Sequence, residues 1–80
     1  SGGVSRRGFV TDEFPRRLRA LRESKQPLRS MATTSELIGL PSSAIGKYER
    51  GEADPTVDSL AAIADYYHVS MDYLWGRTNY

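Results

Sequence analysis

Eighty residues, 39% hydrophobic and 26% charged, are enough for one globular domain and too few for two. The absence of cysteine excludes disulfide staples and thiolate metal sites, and a single histidine argues against a histidine-based metal centre or proton relay. The formal charge of +1 hides a division: residues 1–50 carry ten basic and five acidic side chains, whereas residues 51–80 carry Arg77 against five acidic ones. The first half is suited to a polyanion, although a split of this size also arises by chance among solvated charges. No apolar run is long enough to span a bilayer, and the start of the chain shows no apolar stretch of signal-peptide type.

In chain order, residues 1–10 read as a flexible arm, with Ser1-Gly2-Gly3 as a cloning remnant and Arg6-Arg7 as its charge. Thr11 or Asp12 is expected to cap a first helix, which Pro15 tolerates in its first turn. Phe14, Leu18 and Leu21 form its core stripe at i, i+4, i+7, and it should end near 24–26, ahead of Pro27. Ser30 caps a short second helix, Met31–Ile38, closed by Gly39. Pro41 can take the first position of a third helix that runs from Ser42 to Arg50 and stops at Gly51. Ile45 and Tyr48 are its apolar edge. A loop over 51–55 precedes a fourth helix, Val57–Tyr67, capped by Thr56, with Leu60, Ile63, Ala64 and Tyr67 inward. His68 falls where a left-handed residue is wanted. Ser70 caps a last short helix with Met71, Leu74 and Trp75, closed by Gly76. The expected fold is all-α: five helices, no strand, a domain over 11–77 and a tail over 78–80.

The stretch Met31–Tyr48 has the spacing of a helix-turn-helix. Small Ser35 sits where two helices approach, Gly39 makes the tight turn four residues later, and Ile45 plugs the next helix onto the previous one. The run Gly39-Leu40-Pro41-Ser42-Ser43-Ala44-Ile45-Gly46-Lys47-Tyr48-Glu49-Arg50-Gly51-Glu52 resembles the recognition-helix region of the Cro/repressor-type (xenobiotic-response-element) helix-turn-helix family. Pro55-Thr56 through Leu60, Ile63-Ala64, Val69–Leu74 and Gly76-Arg77 resembles its last two helices, and Phe14, Leu18 and Leu21-Arg22 its first.

The resemblance implies a compact five-helix bundle of the lambda-repressor-like kind. It further implies sequence-specific binding of double-stranded DNA by a homodimeric bacterial or phage-type transcriptional regulator, read here as a repressor. Localisation is then cytoplasmic, with no membrane, cofactor, metal or small-molecule ligand. Ser42, Ser43, Gly46 and Lys47 take the positions that face base edges; serine pairs with any base and lysine reaches guanine O6 and N7. Ser30 and Met31, at the start of the second helix, lie against phosphate, as helix N-termini favour. Arg50 is a further phosphate candidate. Arg6 and Arg7 could track the backbone, or belong to a solvated arm. Arg22 and Glu49 are implied as a structural ion pair tying the first helix to the end of the third.

Three departures stand out. Met31 replaces the family's usual glutamine and can pack but not hydrogen-bond. Thr34 stands where a core leucine is usual and needs a partner for its hydroxyl, most simply its own helix's carbonyl three or four residues back. The stretch from Arg22 to Met31 is about two residues longer than usual, so Leu28 becomes a candidate core plug. Gly46 costs ~1 kcal/mol against alanine inside a helix; it either lets the helix seat deeper in a groove or reflects a solvent face without selection. Phe14, Tyr48 and Tyr67 read as core, whereas Tyr66, Tyr73 and Trp75 are open between half-buried packing and a dimer contact. No set of catalytic groups converges, so an enzyme is not expected. The competing function is a protein-interaction module, antitoxin-like or adaptor, on the same fold.

Overall fold

A computed structural model describes residues 13–78 and folds them into five helices: α1 (Glu13–Glu23), α2 (Met31–Ile38), α3 (Ala44–Glu49), α4 (Val57–Tyr67) and α5 (Met71–Trp75). Among the described residues there is no strand, and no helix is long and apolar enough to cross a membrane. Thr11, Asp12 and the arm with Arg6 and Arg7 lie outside the described residues, as do 79–80.

Three helices begin on a hydroxyl that accepts an otherwise unpaired amide. Ser30 Oγ accepts from Thr33 N–H, Thr56 Oγ1 from Ser59 N–H, and Ser70 Oγ from Tyr73 N–H, at 3.1, 3.1 and 2.9 Å. Each such cap contributes ~1 kcal/mol. The same three helices end on left-handed residues: Gly39 (φ 99°), His68 (φ 59°) and Gly76 (φ 98°). At Gly39 the chain reverses with Leu40 N–H bonded to the Ser35 carbonyl at 2.8 Å, satisfying a carbonyl that the helix end leaves open.

The core gathers Phe14 and Leu18 of α1, Ala44, Ile45 and Tyr48 of α3, Ile63, Ala64 and Tyr67 of α4, and Leu74 of α5. Leu18, Ile45, Ile63 and Leu74 are fully buried, each contributing roughly 1.5–3 kcal/mol by leaving water. α3 packs against both α1 and α2. α1 also packs on α5, and α4 on α2 and α5, so the first helix closes the bundle against the last. Phe14 joins these layers, with its ring centroid 5.7 Å from Tyr48 and 5.6 Å from Trp75.

The structure revises three details and keeps the register of α2. Leu28 does not plug the core; it is 61% exposed, and residues 23–30 run along the surface. The register of α2 is the one its caps dictate, and the longer connection is absorbed outside the bundle. Thr34, fully buried, finds its partner on another helix: its hydroxyl hydrogen-bonds that of Tyr67 on α4. Every buried side-chain nitrogen and oxygen among the described residues has such a partner. α3 begins two residues later than the expected start at Ser42, because the Pro41 carbonyl accepts from Ala44 N–H at 2.9 Å. That tight turn holds Ser42 and Ser43 ahead of the helix. The half-buried C-terminal aromatics each have a packing partner within the domain. Trp75 meets Phe14, Tyr66 meets Tyr67 edge-on at 4.9 Å, and Tyr73 lies under the Arg17 guanidinium at 4.4 Å.

Candidate nucleic-acid interface

α3 presents two faces. Ala44, Ile45 and Tyr48 point inward; Ser43, Lys47 and Arg50 are exposed and recur at the three- and four-residue spacing of one helix face. A helix of six residues has little stability of its own, so its position depends on what holds its ends.

The N-terminal end is held by α2. Ser43 makes no side-chain cap, and the role passes to fully buried Ser35, whose Oγ accepts from Ile45 N–H at 3.0 Å. The same hydroxyl donates to the Met31 carbonyl at 2.9 Å. One serine therefore satisfies an orphan amide of α3 and fixes the angle between the two helices. The small side chain at this position is not only room for close approach, which is what the spacing indicated; it is also a cap delivered from a neighbouring helix.

The C-terminal end is held by α1. Arg22 donates from Nε and Nη2 to the two carboxylate oxygens of Glu49, at 2.7 and 3.0 Å. Both side chains are largely buried, 13% and 5% exposed, and Arg22 Nη1 donates to the Arg29 carbonyl at 3.1 Å. The hydrogen bond to Glu49 raises the Arg22 guanidinium above its ordinary value. The fork geometry suits arginine and not lysine.

The predicted contact residues fall into distinct settings. Ser42, Ser43 and Lys47 are exposed, the serines in the entry turn and the lysine on the outward face. Gly46 is not open to solvent: it is buried, with the Arg50 guanidinium lying across it. Arg50 is exposed and pairs with Glu52, Nε at 2.9 Å and Nη2 at 3.3 Å from its carboxylate. This pairing raises the Arg50 guanidinium and lowers the Glu52 carboxyl from their ordinary values. Ser30 is exposed at the start of α2, and Met31 is half-buried against the core. Met31, Arg19, Arg22, Glu49 and Arg50 line a shallow groove between α1, α2 and α3.

A scan of family models matches residues 18–74 to the helix-turn-helix family. The chain belongs to the Cro/C1-type helix-turn-helix family. It is similar to the uncharacterized HTH-type transcriptional regulator YobD of Bacillus subtilis, 38% identical over 66 residues, which is 82% of this chain and 57% of YobD. The cryptic phage CTXphi transcriptional repressor RstR of Vibrio cholerae is 39% identical over 49 residues, covering 61% of this chain and 44% of RstR. The HTH-type transcriptional regulator AnsR of Bacillus subtilis is 36% identical over 61 residues, covering 76% of this chain and 51% of AnsR. The chain spans about half the length of these curated relatives.

Within this helix-turn-helix domain, two basic residues have roles that the sequence pattern did not single out. Arg17 reads as one of several surface cations on α1. In the structure it is largely buried, donates to the Tyr73 and Thr78 carbonyls, and stacks on the Tyr73 ring, fastening the C-terminal helix to the first. Arg19 is exposed at the rim of the groove beside Met31, paired with Glu23 at 3.0 Å. Half the positive charge of α1 thus serves the fold, since Arg17 and Arg22 point to carbonyls and carboxylates, and the other half remains on the surface.

Proposed function

We propose that this domain binds double-stranded DNA sequence-specifically, with α3 in the major groove, as the DNA-binding part of a bacterial or phage-type transcriptional repressor. The observation that carries the reading is the mounting of α3. Its exposed face offers Ser43, Lys47 and Arg50, while Ser35 and Glu49 fix both ends of the helix to the bundle. A helix held this way keeps its outward side chains in register with base edges, which sequence discrimination requires.

Ser42, Ser43 and Lys47 supply a lean base readout, since serine selects weakly and lysine favours guanine. The N-terminus of α2 at Ser30 and Met31, with Arg19 at the rim of the adjoining groove, meets phosphate. Met31 contributes packing against the core and the backbone of the helix start, not a side-chain hydrogen bond. Phosphate contacts therefore carry most of the affinity. The domain acts as a homodimer on two half-sites about one helical turn apart, in the bacterial cytoplasm.

The test is a titration of mixed-sequence duplex at two salt concentrations. Counterion release makes DNA affinity fall steeply with salt. An absence of binding at low salt overturns the reading and favours a protein-interaction module on the same fold.

A further inference from the structure

The arrangement of Gly46, Arg50 and Glu52 is not explained by a phosphate contact. Arg50 follows Gly46 by one helical turn and folds back over it. A Cβ built at Gly46 would stand 3.0 Å from Arg50 Nη1, and 3.6 Å from its Cζ and Nη2. The guanidinium thus occupies the space that a side chain at position 46 would take. Its orientation is set from the other side by Glu52, which accepts from Nε and Nη2.

Glu52 is itself placed by the backbone. Gly51 turns the chain with a φ of 72°, and Glu52 N–H bonds the Lys47 carbonyl at 2.8 Å. The carboxylate is thereby brought back beside the arginine two residues earlier. The pair is exposed, 51% and 55%, so it adds little to stability; what it fixes is direction.

The geometry points to Arg50 as a guanine-reading residue that stands in for the missing side chain at Gly46, with Glu52 as its positioning residue. This rests on the DNA-binding reading above and moves Arg50 from backbone contact to base contact. Two features decide between those roles. First, Glu52 occupies the Nε edge and offsets the charge, which weakens an anchor for phosphate. Second, the end of the guanidinium, Nη1 and the outward N–H of Nη2, takes no partner among the described residues. Two parallel donors at that end match the O6 and N7 acceptors of guanine in the major groove. Adenine presents one acceptor and one donor there, cytosine a donor, and thymine a single acceptor beside a methyl group, so none of them satisfies both donors.

The experiment is selection from a randomised duplex library with the whole chain, followed by titration of the selected duplex and its single-base variants. Beside any guanine that Lys47 selects, wild type should prefer guanine at the position Arg50 reads by roughly 5- to 150-fold, the range of one good bidentate pair. Arg50→Ala should erase that preference and leave the other positions intact. Glu52→Gln should tighten binding to mixed-sequence duplex, having lost a negative charge, while flattening the guanine preference several-fold. Gly46→Leu, whose side chain competes for the space the guanidinium fills, should flatten it as well. The inference is overturned if Arg50→Ala keeps the wild-type base preferences and weakens all sequences evenly, with the salt slope smaller by about one; that is the behaviour of a phosphate anchor. Failure of wild type to bind any duplex at low salt overturns the DNA-binding reading itself, a separate outcome. Circular dichroism on each variant confirms that the fold is retained.

Discussion

Glu49→Ala isolates the tie between the first and third helices. The substitution removes both acceptors of the Arg22 fork and leaves the arginine one hydrogen bond, to the Arg29 carbonyl. Breaking one partner of a buried pair costs about 3–5 kcal/mol, because the remaining charge stays out of water. Arg22 keeps 13% of its side chain exposed and one carbonyl, so the low end, ~3 kcal/mol, applies. A domain of this size has a total stability on the order of 4–12 kcal/mol. Each kcal/mol moves its melting midpoint by roughly 4–8 °C, so a fall of about 12–24 °C is expected by far-ultraviolet circular dichroism. DNA affinity measured well below that midpoint should stay close to wild type, since Glu49 faces α1 and not the exposed face of α3. Arg22→Met combined with Glu49→Leu should recover much of the loss, because an apolar pair pays no desolvation. A Glu49→Ala midpoint within about 3 °C of wild type, a loss under 1 kcal/mol, would refute the reasoning.

Two further substitutions test the other internal contacts. Ser35→Ala leaves the Ile45 amide buried without an acceptor, at a cost of ~1–3 kcal/mol, and should speed hydrogen exchange at Ile45; unchanged protection there would contradict the cap. Tyr67 is held neutral by burial, with Tyr66 nearby and the Thr34 hydrogen bond opposing, so its pKa rises from 10 to about 12. The folded state therefore keeps the phenolic proton that the unfolded chain releases. The resulting stability is complete below pH 10 and is lost as pH rises from 10 to about 12, a change of roughly 2–3 kcal/mol. Denaturant unfolding of wild type and Tyr67→Phe across that window checks this: the wild type should lose stability that the variant does not, and parallel curves would sink the assignment.

Much of the architecture was legible because its signals are local. Ser30 with Gly39, Thr56 with His68, and Ser70 with Gly76 each carry a start and a stop in the sequence, and the helices they bracket have the bounds those residues predict. α3 carries no such start. Its cap comes from Ser35, ten residues away on another helix, and a proline at 41 pointed to an earlier beginning. The same limit applies to Thr34, whose hydroxyl meets Tyr67 across the bundle, and to Arg17, whose partners lie at the far end of the chain. The outward positions of α3 were readable from helical spacing and family resemblance, down to Ser43 and Lys47. What covers Gly46 was not, since helical spacing puts Arg50 one turn away but does not show a guanidinium folding back with Glu52 beside it.

The most direct test of the account is a map of amide chemical shifts in an isotope-labelled sample as mixed-sequence duplex is added at low salt. If α3 enters the groove and the start of α2 meets phosphate, the largest changes fall at residues 30–32 and 42–51, with the outer surface of α4 left unmoved. Changes concentrated on α4 and α5, or no changes at all, would contradict it.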